Sequence, residues 1–264
     1  DGMDKRWLIT TKTRILVGCL LVICLAQIAL TTQTEFLDND DWFLIHMGRT
    51  TAETPLSEWS HPLTRFWSEE PTWRPMSVIL NTVEWHFFEK NAYARVAFHC
   101  ALNAGCAFLV FLLVSYWFRS EKTGVWAAIL FITHPIHAQS LGWFHAGFES
   151  IPITLAILAT LWLFTKKKQT WIVLLSFQLA LFVRENALCL PFLITAMMWA
   201  RRSGTEKWHQ TLRKSAPYWI LLLINGALRI WMIHQEQSHQ ADLLQSFHVT
   251  ADPLGALVTV LVQP

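Results

Sequence analysis

Charge is scarce in this chain of 264 residues, where Asp, Glu, Lys and Arg make up only 15%. An ordinary soluble domain carries about a quarter. The scarcity is also uneven. Residues 15–34 and 96–118 hold no charged side chain, and residues 123–165 hold one, Glu149. A helix needs roughly 20 apolar residues to cross about 30 Å of hydrocarbon, and these runs reach that length. Their extent argues against a soluble domain. Cysteine spacing excludes more. Cys19, Cys24, Cys100, Cys106 and Cys189 all fall in apolar segments and none has CxxC spacing, so they read as small buried hydrophobes rather than a redox or zinc motif. The net charge is +2 and no basic tract is present, which removes the electrostatic footprint of a nucleic-acid binder. No internal repeat or low-complexity tract interrupts the chain.

What is present is hydrophobic residue, 53% of the chain, arranged as an all-α, polytopic membrane protein. The sequence predicts seven or eight spans in a single transmembrane domain over 1–264, at about 15–31, 94–118, 123–140, 145–165, 169–183, 187–200, 216–233 and 250–264. The third and fourth hinge near His134-Pro135, and the fifth and sixth are short. A polar loop, 32–92, separates the first two. The first apolar run has a basic start, Lys5 to Arg14, but no small-x-small cleavage site, so it reads as a retained anchor. With the N-terminus inside, the clusters at 5–14, 119–122, 166–168 and 201–214 all fall on the cytoplasmic side and hold most of the 21 Lys and Arg. The positive-inside rule selects that orientation. Many of the 15 tryptophans, including Trp117, Trp143, Trp171 and Trp199, lie near span ends, as an interfacial aromatic belt requires. Residues 76–89 read as an amphipathic segment lying along the outer interface.

The polar residues that remain are then conspicuous. Asp38, Asp40 and Asp41 open the outer loop. They read either as a solvated helix start or as a general base or metal ligand, since crowded carboxylates have one raised pKa. Arg184-Glu185 sits between two apolar arms too short to span, which puts it at outer-leaflet depth, where ionisable groups are costly. The alternatives there are an internal salt bridge and a functional pair. Arg229 lies inside the seventh span, where it snorkels outward, pairs with a carboxylate or binds a lipid phosphate. Glu149 begins the fourth span. His134 and His137, in His-x-x-His spacing near His145, are weak metal ligands and better structural histidines. Given the topology, Asp40, Asp41, Glu149, Arg184, Glu185 and Arg229 share the non-cytoplasmic face. Carboxylates and arginines together there suit chemistry on an anionic lipid headgroup.

Four passages carry a family resemblance: Asp40-Asp41-Trp42-Phe43-Leu44-Ile45; Trp73-Arg74-Pro75-Met76-Ser77 with Tyr93 and His99 to Asn103; Thr133-His134-Pro135-Ile136-His137 with Trp143 and Glu149; and Arg184-Glu185 with Leu188 and Pro191. Leu228-Arg229 is a weaker fifth. In order and placement, over roughly 36–235, they resemble the GT-C class of integral-membrane glycosyltransferases. The nearest branch is that of the tetratricopeptide-repeat-bearing O-mannosyltransferases and their bacterial relatives. The resemblance implies a GT-C-like helical bundle whose large first outer loop bears interfacial helices. It implies a polyprenyl-phosphate sugar as donor substrate, and an acceptor, glycan or protein, at the outer face. By position, Asp40 is the implied base with Asp41 next, Arg184 and Arg229 hold the donor phosphate, and Arg74, His134, His137, Glu149 and Glu185 shape the pocket. No cofactor is firmly implied, and a divalent metal has no support in the sequence.

Two features depart from that family. It usually carries a basic pair before the acid matched by Glu149, where this chain has Gly147-Phe148. It also continues, with more spans and often a soluble repeat domain, beyond the position of Pro264. These departures raise the expectation of a fragment, a short relative or a non-catalytic derivative. The leading expectation is therefore a membrane glycosyltransferase. The first rival is a structural or assembly subunit of a membrane complex with a glycosyltransferase-derived fold. The second is a transporter of lipid-linked sugars, which lacks a matching polar pathway to the inner face.

Overall fold

The structure is a computed structural model that describes residues 11–30, 39–58, 73–201 and 208–246, with side chains at 15–30, 41–58, 73–137, 139–201 and 208–232. Among these residues every regular element is helical and no strand occurs. The α-helices are α1 (Thr11–Leu30), α2 (Asn39–Glu53), α3 (Pro75–Phe88), α4 (Ala92–Phe118), α5 (Glu121–Ile132), α6 (His137–Gly142), α7 (Phe144–Thr165), α8 (Thr170–Val183), α9 (Leu190–Ala200) and α10 (Trp208–Ser246). Short 3-10 turns cover Leu56–Glu58 and Glu185–Cys189. The chain forms two compact units, Asp1–Leu221 and Leu222–Pro264. The helix packing and both ion clusters described below lie in the first.

Local chemistry sets the boundaries. Asn91 caps α4 by accepting the Ala94 N–H at 3.0 Å, and Ser120 caps α5 by accepting from Thr123 at 3.2 Å. Between them Arg119 takes a left-handed conformation, φ 53°, and ends α4. The expected span 123–140 is not one helix. It breaks after Ile132 and resumes at His137, because the residue before a proline is pushed out of the helical region and that residue is His134, ahead of Pro135. Gln27 of α1 donates to the Ile132 carbonyl at 3.1 Å, satisfying one acceptor orphaned by the break. The expected spans at 169–183 and 187–200 appear as helices of 14 and 11 residues. The expected eighth span, 250–264, lies outside the described residues. Two helices, α4 with 27 residues and α7 with 22, are long and apolar enough to cross a membrane, about 40 and 33 Å of rise.

The interior is assembled around α4. Leu16 and Leu20 of α1, Ala107 and Phe111 of α4 and Ala128 and Ile132 of α5 form one cluster. Cys24, Val96, Cys100, Cys106, Leu141 and Ile151 form a second, so three of the five cysteines act as buried hydrophobes. Gly124 lets α5 lie against α4, since a Cβ there would come within 2.8 Å of the Phe111 carbonyl. The polarity of the fold is partly inverted. Asp41, Glu84, Arg95, His99 and Asn103 are buried, whereas Val22, Leu25, Phe87, Leu130, Phe192, Leu223 and Ile230 are exposed. Helix α3 is the clearest case: it buries Ser77, Asn81, Thr82 and Glu84 and turns Val83 and Phe87 outward.

Candidate functional site

An ion cluster forms where the N-terminal ends of α3 and α7 meet the C-terminal end of α8. Arg74 is the residue before α3, held there by Pro75 in the first turn. Its guanidinium grips Glu185 with two bonds, Nε to Oε2 at 3.1 Å and Nη2 to Oε1 at 2.5 Å. Its third nitrogen, Nη1, donates to Glu149 Oε1 at 2.6 Å. The other oxygen of Glu149 faces Arg184 Nη2 at 3.0 Å and His145 Nε2 at 3.5 Å. Glu149 therefore bridges two arginines, and the forked guanidinium of Arg74 fixes both carboxylates in one plane of recognition. The junction of α8 with the 3-10 turn is anchored nearby, where Ser77 donates to the Val183 carbonyl at 2.7 Å and Trp73 meets Phe182 edge to face at 5.3 Å.

The cluster is graded in exposure. The Arg74 side chain is 7% exposed, Glu149 16%, Arg184 25% and Glu185 35%. Its open side is thus formed by Arg184-Glu185. Burial pushes the Glu185 carboxyl up, but the hydrogen bonds and charge of Arg74, with Arg184, outweigh it and hold the group below its ordinary value. Burial likewise pulls Arg74 down, and its two carboxylate partners overcome that and raise it. The two arginines and two glutamates balance in formal charge. Arg184 keeps spare capacity: its Nε is buried without a hydrogen-bond partner and sits 4.0 Å from Glu185 Oε1.

A second cluster lies deeper between α3 and α4. Arg95 faces Glu84 Oε2 at 3.5 Å and donates from Nε to the Glu89 carbonyl at 3.0 Å. The second Glu84 oxygen meets His99 Nε2 at 3.0 Å. Arg95 also lies over the Phe144 ring at 5.2 Å, and His99 stacks on the same ring at 5.5 Å. Arg95 is completely buried and His99 almost so. Asn81 ties this group to α2 by donating to the Leu44 carbonyl at 2.7 Å. Gly147 closes the wall, because a Cβ there would lie 2.3 Å from the Ser140 carbonyl and 2.9 Å from His99 Nδ1. Phe148 fills the adjoining apolar cluster with Leu44, Ile45, Val78 and Phe144. Packing thus dictates both positions: no side chain fits at 147, and 148 points into core.

The remaining sequence candidates fall in different places. Asp41 is buried, and its Oδ1 accepts the His145 N–H at 2.8 Å. It caps the first turn of α7 from another helix, where a negative charge complements the dipole. Asp40 lies in the first turn of α2, and its side chain lies outside the described residues. His134 is exposed and accepts the Ile136 N–H at 3.2 Å on Nδ1. His137 packs on Phe131 at 4.8 Å between ring centres. Neither histidine contacts the Arg74 cluster among the described residues. Arg229 belongs to the second unit, where its Nε donates to Asn225 Oδ1 at 3.1 Å, one turn back on α10. Among the described residues no group of three or more His, Cys, Asp or Glu side chains converges as a metal site. No protein-family model, curated protein or solved structure matches the chain.

Sequence reasoning therefore singled out Arg74, Glu149, Arg184 and Glu185, which come together. It passed over Glu84 and Arg95, and used His99 only as a motif residue. A usable signal existed: Arg95 is a charge one residue ahead of the charge-free run 96–118, a position that demands a buried partner.

Proposed function

We propose that this protein is a multi-pass membrane glycosyltransferase that moves a sugar from a polyprenyl-phosphate donor to an acceptor at the non-cytoplasmic face. The single observation that carries the reading is the half-open Arg74–Glu149–Arg184–Glu185 cluster at one end of α7. Outward apolar side chains and inward polar ones support a hydrocarbon surround. The Lys/Arg asymmetry supports an N-terminus inside, with the cluster outside. Arg184 is the donor-phosphate ligand in this reading, since a guanidinium has five N–H donors and this one is the more open of the pair. Arg74 then positions Glu149 and Glu185.

Asp40 is the base. Its carboxylate takes the acceptor hydroxyl proton as the oxygen bonds to the anomeric carbon. The bond from that carbon to the phosphate oxygen breaks, and the polyprenyl phosphate leaves with the electron pair. Cations at the phosphate stabilise the charge that develops there. Asp41 holds the start of α7, and thus Glu149, in place. Membrane lipids and the lipid-linked donor are the partners this requires.

The decisive experiment incubates membranes containing the protein with a radiolabelled polyprenyl-phosphate sugar and measures label in acceptor and label retained by the purified protein. The wild type transfers label, Asp40→Asn retains donor without transfer, and Arg184→Ala loses both. Wild-type protein that neither transfers nor retains donor would sink the reading. That outcome would favour a structural subunit of a membrane complex. One observation already leans that way: both arginines of the cluster are engaged by carboxylates of the same chain.

A further inference from the structure

The opposite end of α7 carries a different chemistry. From Glu149 to Lys166 the helix rises about 25 Å, and at that far end α4, α7, α8, α9 and the start of α10 line a half-open cavity of about 950 Å³. Six cations line it: Arg119, Lys166, Lys167, Lys168, Arg201 and Lys214. No acidic residue lines it among the described residues. Two of the cations are pinned on aromatic rings. Arg201 lies over Trp117 at 4.1 Å and over Tyr116 at 5.0 Å, and Lys166 lies over Trp162 at 4.7 Å. Arg119, Lys167 and Lys168 make no ion pair among the described residues.

Some of this charge has a structural use. Arg119 and Lys166 follow the C-termini of α4 and α7, where cations offset the helix dipole. That use needs one cation per helix end and needs no cavity. It does not account for three consecutive lysines around one hollow, together with Arg119, Arg201 and Lys214. The rest of the hollow's lining is mostly apolar and aromatic, with Phe164, Met198 and Tyr218 among it. Around it Phe118, Trp171, Trp199 and Trp208 are exposed, as residues at the headgroup level of a bilayer are. Cations above an apolar wall at that level match a lipid phosphate with its acyl chains beneath.

We propose that this cavity binds the phosphate headgroup of an anionic membrane lipid, at the end of the bundle opposite the sugar-transfer site. The proposal rests on the membrane reading and is independent of catalysis. Arg201 and Lys166, held on their rings, form the rigid part of the cradle, and Arg119, Lys167 and Lys168 supply the unpaired charge.

The test is native mass spectrometry of the full chain released from bilayers of phosphatidylcholine with one-fifth phosphatidylglycerol. The wild type is expected to retain phosphatidylglycerol in preference to phosphatidylcholine. The triple substitution Arg119→Gln, Lys167→Gln and Lys168→Gln is expected to weaken that retention at least about tenfold, with only the small drop in unfolding midpoint that loss of one helix-end cation brings and unchanged phosphatidylcholine carry-over. Inorganic phosphate at millimolar concentration is expected not to displace the lipid. Equal retention by wild type and triple variant would overturn the proposal. Retention abolished by inorganic phosphate alone would overturn the lipid as ligand and leave a soluble phosphate site. Protein that washes off membranes in alkaline carbonate would instead refute the membrane reading, which separates the two failures.

Discussion

The two ion clusters at the α3–α4 and α7–α8 ends of the fold use the same residue types to opposite effect. Glu84, Arg95 and His99 are sealed, each nearly without exposure, and are roofed by Phe144 and by the bare Cα of Gly147. Arg74, Glu149, Arg184 and Glu185 grade from buried to a third exposed. Glu84 Oε2, Arg95 Nη2 and His99 Nδ1 are buried without a hydrogen-bond partner, so this cluster rests on few bonds and losing one partner is severe. An open charge exchanges its partner for water or an incoming anion at little cost. The sealed cluster therefore reads as architecture, and the graded one has the character of a site. Helix α3 carries a member of each, Arg74 before its first turn and Glu84 in its third, so the architectural group sets the pose of the other.

The largest expected effect breaks the sealed cluster. Arg95→Ala strands Glu84 in the interior and is expected to cost about 3–5 kcal/mol, read as a lowered unfolding midpoint of the purified protein. The double variant Arg95→Met with Glu84→Gln should recover part of that loss. An Arg95→Ala protein of wild-type stability would mean that water reaches the group and that it is not sealed. Next comes the wall between the clusters. Gly147→Ala pushes a methyl against the Ser140 carbonyl and should destabilise by about 1–3 kcal/mol, in the same unfolding assay.

The graded cluster should behave otherwise. Arg184→Ala is expected to change stability by no more than about 1 kcal/mol while abolishing donor retention. A variant that unfolds like Arg95→Ala would place Arg184 with the architectural group. The smallest effect is on acid sensitivity. The folded value of Glu185 lies below its unfolded value, so its stabilising contribution is present above the unfolded value, about 4.3. That contribution is lost as pH falls through the lower folded value. Glu185→Gln should therefore flatten the stability profile on the acid side of about pH 5 and leave the neutral region to the Arg74–Glu149 pair. An unaltered acid limb would show that Glu185 is held no more tightly folded than unfolded.

Several of these features are legible in the amino-acid sequence. The charge-free runs 96–118 and 144–148 with 150–165 mark the two long helices, because a long helix devoid of charge has no aqueous face to serve. Asn91, Ser120 and Pro135 mark boundaries through capping and steric exclusion, although the break at 133–136 divides what periodicity alone joins into one span. Glu149, Arg184 and Glu185 stand out because each is a costly residue in an apolar neighbourhood, whereas Arg74 lies in the polar loop 32–92 and is marked only by the family resemblance. Glu84 does not stand out, since α3 looks amphipathic from sequence, and nothing local says that its polar side faces inward.

What the sequence determined by itself is the helical content, the inventory of misplaced charges and the segregation of lysine to particular turns. These follow from composition and from interactions within a few residues, which any chain of this sequence experiences. Tertiary structure alone decided which charges meet. Arg74 and Glu185 are 111 residues apart in sequence and Asp41 is 104 from the amide it caps, so no local rule connects them. It also decided which of two similar clusters is closed. That distinction rests on whether a ring such as Phe144 and a missing Cβ at Gly147 exclude water, a matter of packing in three dimensions that residue type does not encode.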